Sequence, residues 1–135
     1  MAFEIADKNI DFNEIEKYLQ SLEFYSILSK KIRNRLLIIL EETISNILKY
    51  SFDDTENCFI NVNVENQKNF LKIRIIDNCM EFNPINYENP EKLIFEDQLR
   101  YGGNGIPLIK SYADKLEYNR NYNCNIFDIW LNYKK

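Results

Sequence analysis

Histidine is absent from this chain of 135 residues. A Ser-His-Asp or Cys-His nucleophile system therefore cannot be built from its side chains. Zinc held through imidazole and phosphorylation on a histidine of this chain are excluded for the same reason. Any acid–base step must use a carboxylate, a lysine, a tyrosine or a cysteine.

Cysteine is scarce as well, and its three positions are widely spaced: Cys58, Cys79 and Cys124. An odd number at such spacing fits neither a disulfide framework nor a zinc-ligand pattern, and it favours a reducing compartment. The first residues lack the basic and apolar regions of a signal peptide. No apolar run approaches the roughly 18 residues that a membrane span needs. We therefore predict a cytoplasmic protein without a membrane attachment.

The charge balance is mildly acidic, with a formal net charge of −4. The electrostatic field of a chain with a net negative charge does not favour non-specific nucleic-acid binding, so no nucleic-acid partner is expected. The apolar share of 45% is that of a globular chain. The length fits one domain, which we place over residues 1–135.

The period of the apolar residues changes along the chain. Three- and four-residue steps predict helices over residues 11–24 and 29–50. Alternation then predicts a hairpin of two strands, with its turn at 65–69 and its second strand ending at Asp77-Asn78. A loop is expected over 83–101, a helix from Gly105 to about Leu116, and closing strands over 116–120 and 126–133. Residues 2–7 add a further candidate strand. This order predicts an α+β two-layer sandwich with a mixed, mostly antiparallel sheet covered on one face by helices.

Three segments carry candidate chemistry. In the second helix, Glu42 and Asn46 lie one turn apart, about 40° from each other around the axis, at the border of the apolar stripe. Glu41 is expected to point toward solvent. The spacing of Glu42 and Asn46 alone is also typical of residues at the solvent-exposed edge of an ordinary helix.

The second segment is Asp77 and the residues after it, at the end of a buried strand. A carboxylate there can accept a hydrogen bond from a ligand amine, although Asp and Asn are also common turn residues. The third segment is Gly102-Gly103-Asn104-Gly105, which holds all three glycines of the chain before a helix. Glycines allow backbone N–H groups to approach an anion at a helix N-terminus. It is not a Walker loop, because no Gly-Lys-Ser/Thr follows.

Taken in order, the three segments resemble the ATP-binding fold shared by gyrase, the heat-shock chaperone of ninety kilodaltons, sensor histidine kinases and mismatch-repair ATPases. The likeness is greatest to the anti-sigma-factor serine/threonine kinases of bacteria, and it covers nearly the whole chain. The segments that carry it are Glu42-x-x-x-Asn46 with Tyr50 and Phe52, Asp77 with Phe82-Asn83-Pro84, Gly102 to Lys110, and Asp114 to Tyr118.

The resemblance implies a role for each matching residue. Glu42 is expected to be the general base, Asn46 the Mg²⁺ ligand, and Asp77 the partner of the adenine amino group. Residues 85–101 are expected to form the lid. The whole set expected to bind ATP and Mg²⁺ is Asn46, Asp77, Phe82, Gly102, Gly103, Asn104, Gly105 and Ile106. The implied partners are a sigma factor and an antagonist (anti-anti-sigma) protein, and the implied assembly is a homodimer.

The chain departs from the family pattern at two positions. Cys79 stands where the family usually has glycine, and Tyr50 stands where the helix motif often ends in histidine. The leading hypothesis is a serine/threonine protein kinase that acts as an anti-sigma switch. The alternative is a binding module of the same fold that sequesters a partner with weak or no nucleotide binding. The catalytic end of a sensor histidine kinase is disfavoured, because no phospho-acceptor histidine precedes the domain.

Overall fold

The structure, a computed structural model, describes residues 2–53, 56–85 and 105–134, excluding the side chains of residues 105 and 106. Its strands are β1 (Ala2–Ile5), β2 (Ile60–Gln67), β3 (Phe70–Asp77), β4 (Lys115–Asn121) and β5 (Cys124–Asn132). Its helices are α1 (Asn13–Gln20), α2 (Lys30–Tyr50) and α3 (Gly105–Tyr112), with a 3₁₀ turn at Tyr25–Ile27. None of the helices in these ranges combines the length and apolarity needed to cross a bilayer.

The long helix α2 forms as its sequence predicts. Ser29 caps it, because its Oγ accepts a hydrogen bond from the backbone N–H of Ile32 at 3.2 Å and so satisfies a donor that has no partner within the helix. The predicted apolar stripe is buried: Ile32, Leu36, Ile39, Leu40 and Ile47. These side chains share one hydrophobic core with the inward-facing residues of the strands. The two-layer α+β sandwich is therefore confirmed.

The five strands form one sheet in the order β1-β2-β3-β5-β4, and each neighbouring pair is antiparallel. The predicted hairpin of β2 and β3 is confirmed, but its turn is shorter than the expected 65–69. Gln67 already pairs with Phe70, which leaves Lys68 and Asn69 as a two-residue loop. Lys68 takes a positive φ of 58°, as the first loop residue of such tight turns often does.

The second hairpin, β4–β5, is also tighter than predicted. Asn121 pairs with Cys124, so that Tyr122 and Asn123 alone form the turn. Both have positive φ values, 52° and 61°, which is the pattern of a type I′ turn whose twist matches that of the strands. β5 consequently begins two residues earlier than the predicted Ile126, and this brings Asn125 into the sheet.

The predicted ends of two helices are wrong. α1 ends at Gln20 rather than at residue 24, and the 3₁₀ turn follows it. α3 ends at Tyr112 rather than near Leu116, because the chain joins the sheet early. The backbone N–H of Asp114 donates to the Trp130 carbonyl at 2.8 Å, and the Asp114 carboxylate accepts from the backbone N–H of Asn132 at 2.6 Å.

Candidate functional site

A narrow, partly open cleft lies between α2 and the sheet, with a cavity volume of about 10 Å³. α2 contributes one wall and the strand ends contribute the other. Residues of the segment after β3 complete it. The lining residues are Thr43, Asn46, Ile47, Asp77, Phe82, Pro84, Tyr118, Asn125 and Phe127. Three of the predicted site residues, Asn46, Asp77 and Phe82, therefore meet in one cleft.

Asp77 is the last residue of β3 and lies 2% exposed at the base of this cleft. Its Oδ1 accepts hydrogen bonds from Asn125 Nδ2 at 2.8 Å and from the backbone N–H of Cys79 at 3.0 Å. Burial raises the pKa of the Asp77 carboxyl, and the hydrogen bonds from Asn125 and Cys79 and the positive charge of Arg120 act against that rise. A buried carboxylate held in this way can accept from an amine of a ligand.

Asn125 is a cleft residue that the sequence reasoning missed. It lies directly opposite Asp77 in the β3–β5 pairing, and its amide also contacts Tyr118 and the segment after β3. A signal was present in the sequence. Asn125 continues the inward alternation of Phe127, Ile129 and Leu131, and an amide at an inward position needs polar partners.

Asn46 and Glu42 both lie on α2, but their surroundings differ. Asn46 lines the cleft, and its Nδ2 is buried without a hydrogen-bond partner among the described residues. Glu42 lies one turn toward the N-terminus, half-buried, and is not among the residues that line the cleft. Burial raises the pKa of the Glu42 carboxyl.

Glu41 is less exposed to solvent than predicted. Glu41 is half-buried like Glu42. Its pKa is raised by burial, and the nearby negative charges of Glu42 and Glu16 raise it further. The helical angle separates the two glutamates, but α1 approaches α2 closely enough for Glu16 to act on Glu41.

Phe82 and Tyr50 form one aromatic edge of the site region. Their ring centroids lie 5.7 Å apart in a stacked arrangement, with an interplanar angle of 28°. Lys49 Nζ lies 5.1 Å from the centroid of the Tyr50 ring. The tyrosine at the end of the helix motif therefore packs against a residue of the cleft.

The glycine segment falls largely outside the described residues. Gly102, Gly103 and Asn104 lie outside them, as does the predicted lid beyond Ile85. Gly105 begins α3 and Ile106 follows it, as the sequence predicts for the helix that the glycines open. α3 lies beside α2, where the Arg35 guanidinium carbon is 5.4 Å from the Tyr112 ring centroid.

Cys79 does not need a glycine-like backbone in this chain. Among the described residues, positive φ values at non-glycine positions occur only at Lys68, Tyr122 and Asn123. The Cys79 thiol is buried, and burial, the Asp77 charge and the adjacent Cys58 thiol raise its pKa. The side chain is not among those lining the cleft.

We expect Cys79→Gly to lower the free energy of unfolding by about 1–3 kcal/mol, because it removes a buried side chain and adds backbone freedom. The affinity for ADP should stay within about threefold of wild type, since the backbone N–H that donates to Asp77 is retained. Urea denaturation and calorimetric titration measure the two quantities. A loss of affinity beyond tenfold would show that the thiol itself holds Asp77 in place.

A family model for the histidine kinase-like ATPase domain matches residues 5–129. The chain belongs to this family. Members are ATPase domains, so ATP is the nucleotide that the family implies. A search of curated protein sequences finds no match.

Solved structures with the same fold include proteins of three bacteria. The histidine kinase AdeS of Acinetobacter baumannii is 18% identical with a TM-score of 0.50, over 76% of this chain and 48% of that one. The blue-light activated histidine kinase of Erythrobacter litoralis is 15% identical with a TM-score of 0.54, over 78% and 32%. The SiaB–SiaC complex of Pseudomonas aeruginosa gives 13% identity and a TM-score of 0.57, over 97% and 88%. The chain thus spans less than half of either histidine kinase, and at these identities the likeness shows the fold.

The cleft of this chain has groups that suit ATP. The unpaired amide nitrogen of Asn46 and the carboxylate of Asp77 are buried polar groups, and Phe82 adds an aromatic surface. The described residues contain no cluster of three or more Cys, Asp or Glu side chains able to hold a metal ion. The Mg²⁺-ligand role of Asn46 stays a prediction, in which its amide oxygen would join the nucleotide phosphates and water in a donor set that this cation accepts.

Proposed function

We propose that this chain is a serine/threonine protein kinase that uses ATP and acts as an anti-sigma factor by phosphorylating an antagonist protein. The observation that carries the proposal is the arrangement on α2. Glu42 and Asn46 lie one turn apart, and Asn46, whose Nδ2 is buried without a partner among the described residues, lines the same cleft as Asp77. In this proposal Asn46 is the ligand on the phosphate side and Asp77 is the partner of the nucleobase, both in the cleft lining, and Glu42 is the base, one turn from Asn46 and outside that lining.

Each of these residues has a separate task in the proposed reaction. ATP, when bound with Mg²⁺, supplies the phosphoryl group and the charge neutralisation. Glu42 takes the proton of the partner's hydroxyl while the new oxygen–phosphorus bond forms and the bond to ADP breaks. A raised pKa makes the ionised carboxylate a stronger base near neutral pH. Asp77 orients the adenine, and Asn46 orients the phosphates.

The proposed partners are a sigma factor and its antagonist. The likeness to a chain of a two-protein complex extends over 97% of this chain and supports a regulatory role exerted on another protein. Because the sequence contains no histidine, this chain cannot phosphorylate itself on an imidazole.

The transfer can be tested with the purified chain, ATPγS and an extract of the cells that encode it. We expect thiophosphate on a serine or threonine of one small protein, located by mass spectrometry, and its loss when Glu42→Gln replaces the wild type. Equal labelling by the two proteins would contradict the kinase proposal.

The alternative remains a binding module of the same fold. It is favoured by the position of Glu42 outside the cleft lining. Calorimetric titration with ATP and ADP, with and without Mg²⁺, discriminates the two. Nucleotide binding without any transfer, or no binding at all, favours the module.

We also propose a homodimer that involves α1 and β1. Tyr18 of α1 is not available as an anchor, because it is 7% exposed and its hydroxyl accepts from the backbone N–H of Val64. Phe12, just before α1, is exposed, and β1 is an edge strand of the sheet that the described residues form. We expect light scattering to give twice the monomer mass at micromolar concentration and Phe12→Asp to lower it. A monomer mass at high protein concentration would contradict the proposed dimer.

A further inference from the structure

The amide of Asn125 takes part in four hydrogen bonds. Its Nδ2 donates to Asp77 Oδ1 at 2.8 Å and to the Met80 carbonyl at 3.0 Å. Its Oδ1 accepts from the Tyr118 hydroxyl at 2.5 Å and from the backbone N–H of Phe82 at 3.3 Å. These four bonds use both donors and both lone pairs of the amide. Asn125 therefore has no capacity left for a ligand, although it lines the cleft.

The four partners come from different parts of the chain. Asp77 ends β3, Met80 and Phe82 belong to the segment that follows it, and Tyr118 lies on β4. Arg120, also on β4, donates to the Cys79 carbonyl at 2.9 Å and holds the same segment. Asn125 is thus the point at which the carboxylate, the segment bearing Phe82 and the neighbouring strand are joined.

The geometry points to Asn125, oriented by Tyr118, as a positioning residue that keeps Asp77 an acceptor and so selects a purine with a 6-amino group over one with a 6-oxo group. The inference rests on the proposed nucleotide site and adds its base specificity. Asn125 Nδ2 and the Cys79 backbone N–H both engage Asp77 Oδ1, so that the carboxylate is fixed in the cleft lining and Oδ2 is the oxygen that we assign to the ligand. An ionised carboxylate accepts hydrogen bonds only, which suits an amino group and repels a carbonyl.

Loss of the Asn125 donor changes what Asp77 can recognise. Burial already raises the pKa of this carboxyl, and the bond from Asn125 is the largest influence that lowers it. The other groups facing it are the Cys79 backbone N–H and thiol, the charge of Arg120 and the Tyr118 ring. Without the amide the protonated carboxyl gains population, and a carboxylic acid can donate to a 6-oxo group. Selection between the two purines then weakens.

ADP and inosine diphosphate test this inference, because they differ at position 6 of the purine and the assay needs no protein partner. Calorimetry in Mg²⁺ should show the wild-type chain binding ADP at least about tenfold more tightly than inosine diphosphate, as for one mismatched buried hydrogen bond. Asn125→Ala should weaken ADP binding about tenfold and bring the ratio of the two affinities within about threefold of unity. Asn125→Ser, which keeps one hydroxyl donor, should restore part of the ratio.

A second variant keeps the test decisive if Asn125→Ala fails to fold. Tyr118→Phe removes one hydroxyl and keeps the ring, so that the ratio should fall in the same direction by a smaller factor. Tyr122→Phe is the matched control, because Tyr122 is 91% exposed in the β4–β5 turn and should leave both affinities unchanged. A merely structural role would lower both affinities equally and leave their ratio at the wild-type value.

The outcomes separate this inference from the kinase proposal. An unchanged ratio in both Asn125→Ala and Tyr118→Phe, with ADP still bound, would overturn the inference alone. Selective ADP binding with no transfer to any protein would overturn the kinase proposal alone. A wild-type chain that binds neither nucleotide would overturn both.

Discussion

Glu42→Gln should lower the rate of phosphoryl transfer to the partner protein at least about 100-fold, while the ADP affinity stays within about twofold of wild type. The amide keeps the size of the side chain but cannot take up the hydroxyl proton at neutral pH. Glu42 is absent from the cleft lining, so nucleotide binding should not depend on its charge. Single-turnover transfer measurements and calorimetric titration give the two quantities.

Glu41→Gln is the matched control for this prediction. Glu41 is half-buried and has a raised pKa like its neighbour, but it lies about 100° further around α2. Its replacement should change the transfer rate by less than about threefold. An essential Glu41 with a dispensable Glu42 would show that the other glutamate is the base.

Asp77→Asn should reduce ADP affinity by about 5- to 100-fold, because the amide turns a donor toward the amino group of the purine and leaves a buried mismatch. The neighbouring contacts can survive, since an Asn at 77 still offers one oxygen to Asn125 and to the Cys79 backbone N–H. Calorimetry with ADP measures the loss. Equal affinity of the two proteins would remove Asp77 from the site.

The same substitution should stabilise the free protein at neutral pH. Burial raises the pKa of Asp77 in the folded state, so the stability that this group contributes is present at low pH and is lost as the pH rises through the raised pKa. The amide introduced by Asp77→Asn does not ionise, so the variant does not lose this stability as the pH rises. Its melting temperature should exceed that of wild type at pH 7, and the difference should shrink toward pH 4. An equal difference at both pH values would show that ionisation of Asp77 is not the cause.

The elements with a strong period could be predicted from the sequence. α2 has a serine cap and a long apolar stripe, and its observed bounds agree with the prediction. The β2–β3 strands alternate regularly, which fixes which side chains face the core. Asp77 could be placed at a strand end for the same reason, and the inward position of that residue determines its burial.

Long-range pairing explains what could not be predicted. Asn125 becomes a site residue because β5 pairs with β3 although Asp77 and Asn125 are 48 positions apart in the sequence, and no local pattern reports that register. Tyr18 looks like an exposed aromatic in a short helix, but the backbone of β2 covers its hydroxyl. The early end of α3 depends on Asp114 finding the backbone of β5. Each of these three outcomes depends on a contact made far along the chain.

The sheet order β1-β2-β3-β5-β4 also has a consequence for how the protein folds. The two hairpins close through two-residue turns and so can form early and independently, on the microsecond scale of isolated hairpins. The β3–β5 pairing must instead close a much longer loop, with its larger entropy cost. Asp77 lies on one hairpin and Asn125 on the other, directly opposite each other in the β3–β5 pairing. We therefore expect the cleft to be completed only when the two hairpins dock, so that ligand binding reports on the last step of folding.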